Sequence, residues 1–114
     1  MIVLPWPLSI NTYWRSVHGR NILSREGRRY RVAGLAALQA QTPRCWPADV
    51  QLSVSISVHP PDRRRRDLDN MPKAVLDLLT HGGMYSDDSQ IDELRIVRGP
   101  VKARGCVEVE VTAL

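Results

Sequence analysis

Residues 51–58 read QLSVSISV, and the fold turns on this stretch. Leu52, Val54, Ile56 and Val58 alternate with Gln51, Ser53, Ser55 and Ser57. Successive side chains of a strand point to opposite faces, so a period of two predicts a strand with one apolar and one polar face. Upstream, Pro43 and Pro47 close the preceding element. Before them, Ser24 is placed to cap a helix running to about Gln41, with Val32, Leu35 and Leu38 spaced for one buried face. Downstream, Pro60-Pro61 stops the strand, and residues 62–70 read DRRRRDLDN. A second helix is predicted from about Asn70 to Thr80, because Met71, Val75, Leu78 and Leu79 recur at i, i+4, i+7 and i+8. Pro72 falls in its first turn, where a missing N–H does no harm, and Gly82-Gly83 ends it.

The flanks complete the pattern. Ile2-Val3-Leu4 reads as a short strand stopped by Pro5 and Pro7. Ser9 to Gly19 reads as a loop, and Asn21-Ile22-Leu23 as a second short strand. Glu93 to Arg98 and Cys106 to Thr112 read as closing strands, joined by a hairpin loop from Gly99 to Gly105. The order is approximately ββαβαββ. It predicts an α+β fold: one mixed β-sheet carrying two main helices, in a single domain over residues 1–114.

Composition narrows the function. The chain has 114 residues, 43% hydrophobic and 25% charged, which is globular and too short for two independent cores. Its longest uncharged, apolar-rich stretch, Val32 to Pro43, is too short and too polar to cross a bilayer. No secretory signal opens it, and Cys45 and Cys106 make neither a disulfide framework nor a four-ligand zinc site. His18, His59 and His81 add no zinc spacing. A reduced, cytoplasmic protein without a membrane partner is expected. The net charge of +4 is unevenly spread. Residues 15–31 hold six Arg against one Glu, whereas residues 62–93 hold eight acids against five bases. A basic arm (Arg15, Arg20, Arg28 and Arg29 among its members) therefore faces an acid-rich centre. The preference for Arg over Lys suits bidentate phosphate contacts.

Asp67 and Asp69 are separated by one residue, which in an extended segment turns both carboxylates to one side. Such a pair suits Mg²⁺, with Mn²⁺ as a substitute, or one member simply caps the helix. A helix of about 11 residues is about 16 Å long, and Gly82 to Asp87 spans about 20 Å when extended. Asp88 can therefore return beside Asp67 and Asp69, while Asp87 and Asp88 also suit an ordinary turn. Three carboxylates at one point repel unless a cation neutralises them. Lys73 is four residues after Asp69 and four before Asp77, placed for a surface ion pair or for offsetting charge on a phosphoryl group. Arg63, Arg64, Arg65 and Arg66 adjoin this site as a clamp for a polyanion, and Asn70 either orients a ligand or bonds the turn.

The run from Pro61 to Asn70 with Lys73 strongly resembles the RusA family of Holliday-junction resolvases. So do Leu4-Pro5-Trp6-Pro7 with Ser9, Asn11, Tyr13 and Arg15, and Asp87-Asp88 with Ser89-Gln90. The similarity covers Leu4 to about Thr112. The resemblance implies a homodimeric, Mg²⁺-dependent endodeoxyribonuclease that cuts four-way junction DNA in recombination and repair, in a bacterial or phage-infected cell. It implies that Asp67, Asp69 and Asp88 are the catalytic carboxylates and metal ligands, and that Lys73 is an essential basic residue beside them. The chain departs from the family in its short ends and in having no Phe, so aromatic contacts to DNA fall to Tyr or Trp. The alternative is a non-catalytic junction- or DNA-binding module of a phage or prophage. The basic arm favours that reading, and carboxylates beside phosphates oppose it. An RNA-binding domain is disfavoured by the lack of an aromatic RNP-type motif.

Overall fold

The computed structural model describes residues 1–7 and 9–114, with Ile10 and Asn11 described by backbone alone. Among the described residues, six strands and three α-helices follow in the order β1 (Ile2–Pro5), α1 (Ile10–Tyr13), β2 (Trp14–Val17), β3 (Arg20–Leu23), α2 (Arg25–Ala40), β4 (Leu52–His59), α3 (Pro72–His81), β5 (Ile91–Arg98) and β6 (Cys106–Ala113). The alternating stretch is the centre of a four-stranded sheet ordered β1-β6-β4-β5. Leu52, Val54, Ile56 and Val58 are buried, while Ser53, Ser55 and Ser57 on the other face are half-exposed. β6 runs antiparallel to β4 and to β1, and β5 runs parallel to β4. Parallel neighbours need a crossover, which the segment containing α3 supplies.

α3 buries Ala74, Val75, Leu78 and Leu79, as its periodicity requires. These join the inward residues of β1, β4 and β6 and the buried face of α2 in one hydrophobic cluster. α2 begins where Ser24 predicts: its Oγ accepts from the Gly27 N–H at 2.9 Å and donates to the Thr12 carbonyl at 2.6 Å. Its buried face agrees with the expected one at Leu38, and Leu35 packs against the core, but Val32 does not belong to it. Gly27, Tyr30, Gly34 and Leu38 point inward, whereas Val32 is 71% exposed. The cause is close approach: a Cβ on Gly34 would lie 2.4 Å from Leu78 Cδ2, and one on Gly27 2.6 Å from the Tyr13 carbonyl. Two glycines let α2 seat against α3 and α1, and that sets its rotation.

Two further expectations are corrected. Part of the expected loop from Ser9 to Gly19 is ordered as α1 and β2. β2 pairs with β3 in a separate two-stranded sheet, so not all strands share one sheet. The hairpin turns on His18 and Gly19, at φ 51° and 75°, the paired positive values of a two-residue turn. Second, Gly99 to Gly105 is not a hairpin loop, because β4 lies between β5 and β6. No described helix is long and apolar enough to cross a membrane.

Candidate active site

The segment leaving β4 is held by its own first acid. Asp62 accepts from the Arg66 guanidinium at 2.8 Å and from the Arg64 backbone N–H at 3.0 Å. These bonds, Arg66 first, hold its carboxyl below the usual range. Arg98, at the end of β5, donates to the Arg66 carbonyl. The Arg66 guanidinium also stands 5.4 Å from the centre of the Trp6 ring. The arginine run is therefore divided. Arg66 is half-buried and fixes the segment, whereas Arg63, Arg64 and Arg65 are exposed.

The fixed segment delivers Asp67 to the start of a 3-10 turn, Leu68–Asn70, that leads into α3. The Asp67 side chain caps nothing, so the capping role does not account for it. Among the described residues, no ion pair or hydrogen bond reaches the exposed carboxylate of Asp67 or of Asp69. A cavity of about 410 Å³ opens beside Asp67, lined by Trp6, Ser9, Arg65, Arg66 and Asn70 among others.

The second aspartate pair divides its duties. The Asp87 side chain accepts from the Ser89 N–H at 3.2 Å, and Gln90 reaches back to the Asp87 N–H in a capping box. Buried Gln90 also donates to the carbonyls of Pro47 and Val50 at 2.9 and 2.8 Å. That anchor aims Asp88 at α3, where its Oδ2 lies 3.7 Å from Lys73 Nζ. Lys73 thus pairs with Asp88, not with Asp69 or Asp77.

The structure brings Lys73 and Asp88 together and sets Asp67 and Asp69 in the turn that leads into α3. It does not preassemble a three-ligand group: among the described residues, no three His, Cys, Asp or Glu side chains are grouped to hold an ion. The donor chemistry nonetheless fits a hard divalent cation. Asp67 and Asp69 offer oxygens with no partner among the described residues, and Asp88 is paired with one lysine rather than held in a buried network. Carboxylates without a cation repel, so they have no reason to converge unaided.

The basic arm lies on two elements. Arg15 and Arg20 are exposed on the β2–β3 hairpin, and Arg28 and Arg29 on α2. Arg31 turns inward and binds Asp77 at 2.8 Å, where the Tyr13 hydroxyl also donates. Sequence reasoning missed this junction of α1, α2 and α3. Only the position of Asp77, one turn from Lys73, pointed toward it. Burial and the Asp77 bond push Tyr13 up to about 12. The bond to Asp77 and the one to Tyr13 raise Arg31 despite its partial burial.

Hard oxygen donors without partners among the described residues, set among exposed arginines, suit metal-assisted cleavage of a phosphate polymer better than simple adhesion to one. A nuclease is the class this fold and site define. Comparison with known proteins narrows the class. Residues 5–112 match the family model Endodeoxyribonuclease RusA. The chain is 40% identical over 113 residues to the protein named crossover junction endodeoxyribonuclease RusA of Escherichia coli (strain K12), covering 99% of this chain and 93% of that one. The same identity and coverage hold for the proteins of that name from Enterobacteria phage 82 and from Shigella sonnei (strain Ss046). This chain belongs to the RusA family.

Proposed function

We propose that this chain is an endodeoxyribonuclease that resolves Holliday junctions by paired, symmetric nicks, with Mg²⁺ as its cofactor, in recombination and repair in the cytoplasm of a bacterial or phage-infected cell. The observation that carries the reading is a pair of carboxylates, Asp67 and Asp69, that have no partner among the described residues and stand at the mouth of α3 beside the exposed Arg65. A binding module gains nothing from uncompensated negative charge next to phosphate.

Asp67, Asp69 and Asp88 would hold the cation. When bound, it neutralises the carboxylates and lowers the pKa of water for in-line attack on phosphorus. The chain's own groups do the rest. Lys73 releases Asp88 and offsets charge building on the phosphate. Arg63, Arg64 and Arg65 hold the strand near the site, Arg66 keeps their segment in place, and Asn70 orients the phosphate from the turn. Arg15, Arg20, Arg28 and Arg29 hold the junction arms through phosphate contacts, which carry no sequence information. Selection comes from junction shape and deformability. Hydrolysis breaks the bond from phosphorus to the 3′ oxygen, leaving a 5′-phosphate and a 3′-hydroxyl. Two nicks of like polarity need two sites, which a two-fold homodimer supplies.

The test is a labelled synthetic four-way junction incubated with Mg²⁺. Paired nicks at symmetric positions support the reading. Tight binding without nicks at any Mg²⁺ concentration rejects it in favour of a binding module.

A further inference from the structure

The two edges of the main sheet are treated differently. β1 is short, and its outer edge is closed by a side chain from the end of α2. Gln41 Oε1 accepts from the Val3 N–H at 2.8 Å, and Gln41 Nε2 donates to the Val3 carbonyl at 2.7 Å. An amide thus takes the place of a next strand. β5, at the other edge, has eight residues and pairs only with β4 among the described residues. Its middle is open: Glu93 and Arg95 are exposed, and Leu94 is 45% exposed. Leu94 shares the face of its partner Val54, which is fully buried, so it points toward the helix side without cover. A long, open, partly apolar edge is a template for another strand.

We infer that the outer edge of β5 pairs antiparallel with β5 of a second copy, about a two-fold axis through Leu94. The inference rests on the homodimer in the reading above and names the surface that forms it. An axis normal to the sheet keeps matching faces together, so a residue must sit at the axis. Centring on Glu93 or on Arg95 sets like charges opposite each other. Centring on Leu94 sets Glu93 opposite Arg95 of the second copy, twice, and places the two Leu94 side chains together. Cross-strand pairs of opposite charge and of apolar groups stabilise a sheet, and like charges oppose it. The charges on this edge, read alone as protection against pairing, are thus self-complementary in one register.

The same axis serves the site. The Leu68–Asn70 turn packs on β5, and Asp88 precedes β5 by three residues. Asp88 and Leu94 are six residues apart, at most about 20 Å along the chain. With paired strands about 5 Å apart, the two Asp88 residues then lie no more than about 45 Å from each other.

Sedimentation of the full chain is the first arm of the test. The unaltered protein is expected as a dimer. Glu93→Arg and Arg95→Glu should each weaken it by about tenfold or more, and the double exchange should restore most of the loss. In the second arm, Leu94→Cys in a Cys45→Ser, Cys106→Ser background should oxidise to a disulfide-linked dimer, because facing residues of antiparallel strands lie within disulfide reach. Val32→Cys, exposed on α2, should not. A dimer indifferent to both charge reversals and refusing the Leu94 cross-link overturns the surface while leaving the homodimer intact. A protein monomeric at every concentration overturns the homodimer itself.

Discussion

Asp87 and Asp88 are chain neighbours held by different forces. Asp87 closes a capping box, and Asp88 pairs with a partly exposed lysine at 3.7 Å. Asp87→Ala should therefore cost about 1 kcal/mol of folding stability, read by chemical denaturation, while the folded protein keeps its cleavage rate. Asp88→Asn should reverse the pattern, with stability nearly unchanged and cleavage lost. Equal effects of both changes on cleavage would remove this division of labour. The sequence carried the candidate carboxylates because Asp-x-Asp and Asp-Asp are local patterns. Lys73 beside Asp88 came only through the family resemblance, and the Arg31–Asp77 pair not at all, since both contacts join segments that meet only in the folded chain.

Among the elements, those with an internal signal were legible. The period of two in β4 and the apolar spacing of α3 each state a buried face without reference to anything else. α2 was legible in extent and, through Leu35 and Leu38, in part of its face; the rest of that face is set by Gly27 and Gly34, residues with no apolar signal. Gly34→Ala tests this: the added methyl meets Leu78, and the chain should lose about 1–3 kcal/mol. A neutral or stabilising result would show that α2 and α3 part easily. Strand order was the least legible feature. Nothing local in β5 or β6 says that β4 lies between them, and the His18-Gly19 turn lacks the usual Asn-Gly or Asp-Gly signature. On the exposed face of α2, reversing Arg28 and Arg29 to Glu should weaken junction binding and flatten its salt dependence. An unchanged salt slope would take this helix out of the DNA interface.

At the scale of the whole molecule, all three tyrosines report the state of the core. Burial is the first cause raising each: Tyr13 and Tyr85 rise from 10.0 to about 12, and Tyr30 also rises. The folded state thus prefers the protonated phenols. That preference contributes fully below the unfolded value near 10 and is lost as pH climbs through about 12. The folded protein should show no phenolate absorbance near pH 10, and its stability should fall above that pH. A tyrosine titrating normally in folded protein would contradict the burial described.

In the proposed reaction, carboxylates on two separate segments serve one metal-dependent cut in junction DNA. The most direct measurement compares the unaltered chain with Asp69→Asn on a labelled four-way junction, with and without Mg²⁺, scoring binding and nicking together. Equal binding, paired nicks only for the unaltered chain with Mg²⁺, and no nicks for Asp69→Asn are expected. Undiminished nicking by Asp69→Asn, or nicking that persists in excess chelator, would contradict that reaction.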